Sequence, residues 1–272
     1  MRKKKVNLST IAVVLVFILG VGLLLYPTVS DRWNSFHQTR AINSYTDQVA
    51  ELDPAACEKM LADAHAYNEE LANKENPFAD ASDDSHARYE ALLNLTGDGI
   101  MGYIEIGKIN VRLPVCHTVG EDVLQKAVGH LEGSSLPVGG ESTHAVLSGH
   151  RGLPSARLFT DLASLEEGDT FVLSVLDQTM TYEIDQIRIV LPDETSDLNI
   201  VPGEDLCTLV TCTPYGINSH RMLVRGRRVE NAKAVVKVTA DGARVAPVVV
   251  APFIGIPLLI ILLAFLLRPK RY

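Results

Sequence analysis

Two long uncharged apolar stretches, one near each end of the 272-residue chain, limit what it can fold into. Behind Arg2, Lys3, Lys4 and Lys5, the run from Ile11 to Leu25 carries no charge. At about 1.5 Å per residue it nearly crosses a hydrocarbon core of about 30 Å. Val245 to Leu267 adds 23 uncharged residues closed by Arg268, Lys270 and Arg271, long enough to span even with Pro247, Pro252 and Pro257. A helix with three prolines rarely suits a soluble core. The first stretch reads as a retained anchor. A signal-peptide core is the alternative, although Thr28 and Ser30 do not make the small-residue A-x-A type of cleavage site. Either reading exports the residues beyond Leu25.

Charge agrees with this division. No Asp or Glu occurs in residues 1–26 or 245–272, while those ends hold seven of the 25 Lys and Arg. The middle keeps 18 Lys and Arg against all 33 Asp and Glu, a charge of -15. So acidic a middle argues against nucleic acid as a partner, because phosphate backbones are bound through clustered cations. Basic residues flank both spans at the chain ends, which places both termini in the cytoplasm and residues 27–244 outside. With 47% hydrophobic residues the chain is no disordered tract, and four scattered Cys do not make a disulfide scaffold.

Between the spans, Trp33, Phe36, Ile42, Tyr45, Val49 and Leu52 recur at helical spacing. A second helix opens with Asp53 as cap and Pro54 at its first position, followed by Cys57, Met60, Leu61, Ala64 and Leu71. The two stripes predict a helical hairpin packed on the main domain, with a membrane-proximal partner site as the alternative. From Lys74 to Ser85 periodicity vanishes, and Asn76-Pro77-Phe78 reads as extended loop. A short helix is expected near His86 to Leu95. From about Gly99 the period becomes two, as in Ile109, Val111, Leu113 and Val115. Further strands are expected at 145–148, 170–176, 179–184, 186–191, 206–212 and 221–229, with Asp177-Gln178 as a hairpin turn. Seven or eight such strands suggest a closed barrel. The expected layout is a basic tail and anchor (1–26), a helical hairpin (27–73), a lid loop (74–85), a catalytic barrel (86–231), a linker (232–244), a C-terminal transmembrane helix (245–267) and a basic tail (268–272).

Of the four cysteines, Cys57 sits on a helical stripe and Cys207 inside an apolar strand, both packing positions. Cys116 adjoins His117, but neighbours on a strand point to opposite faces. Cys212 ends a strand where a cleft can reach its thiol. A bridge to Cys207 is disfavoured, because residues five apart on one strand face opposite sides. If the strands 206–212 and 221–229 pair, the loop 213–220 brings Arg221 nearly opposite Cys212. An Arg fork can hold an oxyanion and favour the thiolate; a surface salt bridge is the plainer reading of Arg221. Among eight His, His150 lies just past an apolar strand between Gly149 and Gly152, and His130 in Gly129-His130-Leu131-Glu132-Gly133 is its rival. His37, His65, His86, His117, His144 and His220 read as surface or structural groups. No His or Cys cluster has metal-ligand spacing.

Four segments together resemble one family. They are Thr208-Leu-Val-Thr-Cys-Thr-Pro-Tyr-Gly216, Asn218-Ser-His-Arg-Met-Leu-Val-Arg-Gly226, Leu147-Ser-Gly-His-Arg-Gly-Leu-Pro-Ser-Ala156 and Gly129-His-Leu-Glu-Gly-Ser-Ser-Leu-Pro137. The resemblance is to sortases, cysteine transpeptidases of Gram-positive surfaces, and within them to the class C, pilin-polymerising type. It implies a mainly β fold: a closed eight-stranded sortase-type barrel with an N-terminal helical hairpin and a transmembrane helix at each end. It also implies His150, Cys212 and Arg221 as the catalytic residues, no cofactor, and residence in the plasma membrane with the catalytic domain outside. The partners it implies are pilin or surface-protein substrates carrying a C-terminal sorting signal, and membrane lipid through the two helices.

The implied reaction is cleavage of a Leu-Pro-x-Thr-Gly-like signal through a Cys212 thioester, with transfer to a pilin lysine amine. Class C members carry a lid loop, commonly Asp-Pro-aromatic, and Asn76, Pro77 and Phe78 occupy its place in chain order. Asn76 departs from that pattern: it cannot supply the carboxylate that would pair with Arg221. Attachment of surface proteins to the cell-wall precursor is the alternative within this chemistry. A surface protein that is itself sorted also ends in an apolar stretch and basic tail, but it wants a sorting pentapeptide shortly before Val245. Val235 to Arg244 holds none.

Overall fold

The structure, a computed structural model, describes residues 8–74, 78 and 82–231. Asn76, Pro77, the linker and the C-terminal apolar stretch lie outside the described residues. The described residues divide into two compact units, one up to residue 32 and the other from residue 33.

Helix α1 runs without interruption from Leu8 to Glu51 and contains Pro27. Among the described residues, one helix is long and apolar enough to cross a membrane, Ala12–Glu51, and none of its most apolar window is buried.

In the second unit, α1 is fastened to the barrel by polar contacts. Asn34 Nδ2 donates to Ser155 O at 2.8 Å, Gln38 Nε2 donates to Lys126 O at 2.9 Å, and the Tyr45 hydroxyl donates to Met101 O while accepting from Leu176 N. Ile42 and Tyr45 are buried, as their stripe predicted, but Trp33 and Phe36 are 66% and 63% exposed. They lie on the solvent-facing side of α1 with their rings against His37.

Helix α2, Pro54–Ala72, begins as read: the Asp53 carboxylate accepts from Ala55 N and Pro54 occupies the first turn. On its inner face the buried Asn68 exchanges two hydrogen bonds with the Leu136 backbone. Helix α3, Asp83–Ala91, is capped by Ser82 and starts three residues earlier than expected.

Eight strands close the barrel: β1 (Ile100–Ile106), β2 (Val111–His117), β3 (Val128–His130), β4 (Thr143–Ser148), β5 (Thr170–Val175), β6 (Gln178–Val190), β7 (Asp205–Thr213) and β8 (His220–Val229). Their order is β1-β2-β3-β4-β7-β8-β6-β5. β2 with β3, and β4 with β7, are parallel; the other pairs are antiparallel. The interior holds Leu113, Leu147, Leu173, Ile184, Leu209 and Val224, with Phe171 stacked on Tyr182. The β5–β6 turn falls one residue earlier than expected, on Leu176 and Asp177, with Leu176 at φ 51°. The two strands expected at 179–184 and 186–191 are one strand, β6, whose register slips at Asp185. That bulge faces the carboxylate of Asp185 to Arg225, which donates to both of its oxygens at 3.0 and 2.9 Å.

Candidate active site

A second apolar cluster lies on the outer face of the sheet: Val146 of β4, Val190 of β6, Leu198 and Leu223 of β8, with Phe78, Leu131 and Val210 packed against it. Along a strand, every second residue shares a face. Ser148 therefore lies beside Val146, Cys212 beside Val210, and Arg221 beside Leu223. A cleft of about 260 Å³ is lined by Val146, Ser148, Val190, Val210, Arg221 and Leu223. Its floor is apolar and one end is polar.

At that end the β7–β8 ladder sets Cys212 directly opposite Arg221. Residues so opposed hold their Cβ atoms about 4.5–5.5 Å apart on one face. His150 arrives from β4. Ser148 is level with Val210 in the parallel pairing, and His150 and Cys212 each stand two residues beyond that level. Two hydrogen bonds keep the chains together there: Gly149 N donates to Val210 O at 3.0 Å, and Thr211 Oγ1 donates to Gly149 O at 2.8 Å. Histidine, thiol and guanidinium thus stand at the same end of three adjacent strands.

The loops past these strands are locked to each other. Arg151 Nη1 donates to Thr213 Oγ1 at 3.1 Å, and its guanidinium lies 6.0 Å from the Tyr215 ring centre. Gly152 adopts φ +78°, and a Cβ there would stand 2.7 Å from the Tyr215 ring. Only glycine lets the two loops approach this closely.

Arg221 Nη1 makes two long bonds, 3.2 Å each, to Asn218 O and His220 O. These leave the other nitrogens of the fork outside that pair of bonds. Among the described residues no carboxylate pairs with Arg221, so the salt-bridge reading finds no partner. His150 Nε2 stands 3.5 Å from Glu121 Oε2, and the nitrogen is buried without a hydrogen bond among the described residues. Glu121 belongs to a short helix, α4 (Glu121–Leu124), in the β2–β3 crossover. Sequence reading missed both Glu121 and Arg151. Arg151 adjoins His150 in sequence and could have been weighed; nothing in the spacing points to Glu121.

The rival groups lie elsewhere. His130 is fully buried against Tyr89, with Nε2 donating to Ser135 O at 2.8 Å and Nδ1 accepting from the Tyr89 hydroxyl at 3.0 Å. Burial pushes its imidazolium form down to a pKa of about 4. A neutral, fully committed ring is a structural one. The ring nitrogens of His117 face Gly99 O and Leu92 O, and His144 is buried against Asn199 O and Thr208 Oγ1. All four thiols are free. Cys57, Cys116 and Cys207 are buried, and burial raises the Cys116 thiol to about 12 and that of Cys207 well above its ordinary range. Of the four, Cys212 alone is half exposed, and it shares the strand face of Val210, which lines the cleft. Phe78 is partly buried on the cleft's apolar cluster.

A half-exposed thiol, an imidazole and an Arg fork at one end of an apolar groove can perform acyl transfer, with the fork as oxyanion donor. The sortase domain model matches residues 104–229, from β1 through β8. Sortase C1 from Streptococcus agalactiae is 50% identical, with a TM-score of 0.68; the match covers 71% of this chain and 100% of that one. The sortase C of Streptococcus pneumoniae is 42% identical, with a TM-score of 0.63, over 71% of this chain and 97% of that one. Sortase D of Bacillus subtilis is 36% identical over 131 residues, 47% of this chain and 63% of that protein, so the chain spans somewhat under two thirds of that relative's length. The chain belongs to the sortase family of cysteine transpeptidases, and its structural neighbours include class C members.

Proposed function

We propose that this chain is a membrane-held sortase that cleaves a Leu-Pro-x-Thr-Gly-like sorting signal between Thr and Gly and transfers the acyl group to a pilin lysine. The observation that carries the reading is the register: Cys212 opposite Arg221, with His150 brought level by the β4–β7 pairing. The apolar groove leading to it suits the Leu-Pro part of such a signal. The pneumococcal neighbour, a structure described in terms of catalysis and pilin substrate specificity, supports the pilin assignment.

In this reading the Cys212 thiolate attacks the Thr carbonyl, the Arg221 fork binds the oxyanion, and His150 protonates the leaving Gly amine. The thioester then passes to an amine, forming an isopeptide bond. The Phe78 ring, packed on the apolar cluster beside the groove, serves as its cover. The apolar half of α1, ending near the exposed Trp33 and Phe36, anchors the enzyme in the membrane, and residues 245–267 supply a second span. Such tethering raises the effective concentration of substrates held at the same surface.

The test incubates the enzyme with a peptide bearing a sorting signal and a lysine-containing pilin. An isopeptide-linked product located by tandem mass spectrometry supports the proposal. Cleavage with water as the only acceptor across a panel of pilins and cell-wall amines rules out the transfer reading.

A further inference from the structure

We propose that Glu121 docks the acceptor's ammonium group beside His150 and so selects a cationic amine as the second substrate. This deepens the transfer reading above and rests on it. His150 has a carboxylate within 3.5 Å of Nε2, the only one within ion-pair distance among the described residues. Gln125 Nε2 donates to the other oxygen, Oε1, at 3.1 Å and so orients the carboxylate from the next turn.

The Glu121 side chain is 69% exposed. So exposed a carboxylate is a weak holder of an imidazole, because solvent screens the pair. The same exposure makes it reachable by a cation arriving from solvent. A lysine amine arrives protonated, since its ordinary pKa is about 10.4. Held at Glu121, its nitrogen lies at the edge of His150, the group that must take a proton from it.

The chemistry balances. The docked ammonium releases one proton to solvent, and the neutral amine attacks the thioester carbonyl. The C–N bond forms and the C–S bond breaks, leaving Cys212 as thiolate. The nitrogen's surplus proton goes to His150.

The experiment compares wild type with Glu121→Gln and Glu121→Lys in two half reactions. The first is hydrolysis of a sorting peptide in the absence of amine. The second is transfer to an Nα-acetyl-lysine amide or, as an uncharged nucleophile, to hydroxylamine. Glu121→Gln is expected to raise the lysine-amide concentration for half-maximal transfer about fivefold, the scale of one exposed ion pair. Hydrolysis and hydroxylamine transfer should stay within about twofold, because an exposed carboxylate contributes little to holding His150. Glu121→Lys should raise that concentration further, and added salt should weaken lysine-amide use by wild type but not by Glu121→Gln. Equal losses in hydrolysis and both transfers would overturn the proposal and make Glu121 a positioning residue for His150. Unchanged lysine-amide kinetics would overturn it as well. Wild-type enzyme that hydrolyses the peptide but uses neither nucleophile would refute the transfer reading itself, a distinct result seen before any variant is made.

Discussion

Replacing Phe78 by alanine measures whether its ring shields the thiol of Cys212. The ring packs against a cluster built from Val146, Val190, Leu198 and Leu223, on the face of the sheet that also carries Cys212. Burying a phenylalanine completely is worth about 1.5–3 kcal/mol. Phe78 is only partly buried, so about half of that, roughly 0.8–1.5 kcal/mol, is a fair share. At about 1.4 kcal/mol per decade this favours the covered state roughly four- to twelvefold. Phe78→Ala should therefore raise the rate at which a small neutral thiol reagent labels Cys212 by about that factor, read by mass spectrometry of the Cys212 peptide. The contact is apolar, so the ratio should hardly change between low and high salt. Asn76→Ala should change labelling much less, and Phe78→Leu should fall between wild type and alanine. An alanine variant labelled at the wild-type rate would show that residues 74–85 are an ordinary surface loop.

Other outcomes follow from the site and the core. Cys212→Ala should abolish cleavage of a sorting peptide while the barrel stays folded by circular dichroism, whereas alanine at Cys57, Cys116 or Cys207 should leave turnover within a few-fold in soluble protein. Arg221→Lys should lower kcat by about 10²-fold, because a point charge lacks the fork that matches an oxyanion; near-normal turnover would restore a surface role. His130 is neutral when folded, at a pKa of about 4, but titrates near 6.5 when unfolded, so the unfolded chain binds the extra proton between these values. Stability should be insensitive to this group above about pH 6.5 and should fall as pH drops toward 4, by up to roughly 3 kcal/mol. Urea titrations of wild type and His130→Gln across that range should show a shallower decline in the variant, and parallel curves would refute the assignment.

Much of the site was legible because it is built from a hairpin. The strand around Leu206–Cys212, a short loop and the strand from Arg221 fix the Cys212–Arg221 pairing by counting alone, and the register agrees. His150 was harder. Its place just past an apolar strand favoured it, spacing could not exclude His130, and the family resemblance decided; in the structure His130 is fully buried, while His150 stands two residues beyond the β4–β7 pairing, as Cys212 does. β3 is three residues long and carries no period to read. β6 looked like two strands because the extra residue at Asp185 reverses the alternation. Glu121 comes to His150 through the β2–β3 crossover, a long-range consequence of topology. Trp33 and Phe36 share the helical stripe of Ile42 and Tyr45, yet pattern alone does not say how far along α1 the barrel extends. Pro27 did not end α1, and an apolar run with an internal proline reads the same whether the helix stops or continues.

The central claim is that Cys212 carries the acyl group. The most direct measurement is the intact mass of the soluble domain after rapid acid quenching with a peptide of the Leu-Pro-x-Thr-Gly type. The expected result is a mass increase equal to the peptide segment ending in Thr, less the elements of water, located on the Cys212 peptide and released by hydroxylamine. No adduct is expected in Cys212→Ala. An adduct on any other residue, or peptide cleavage by Cys212→Ala, would contradict the claim.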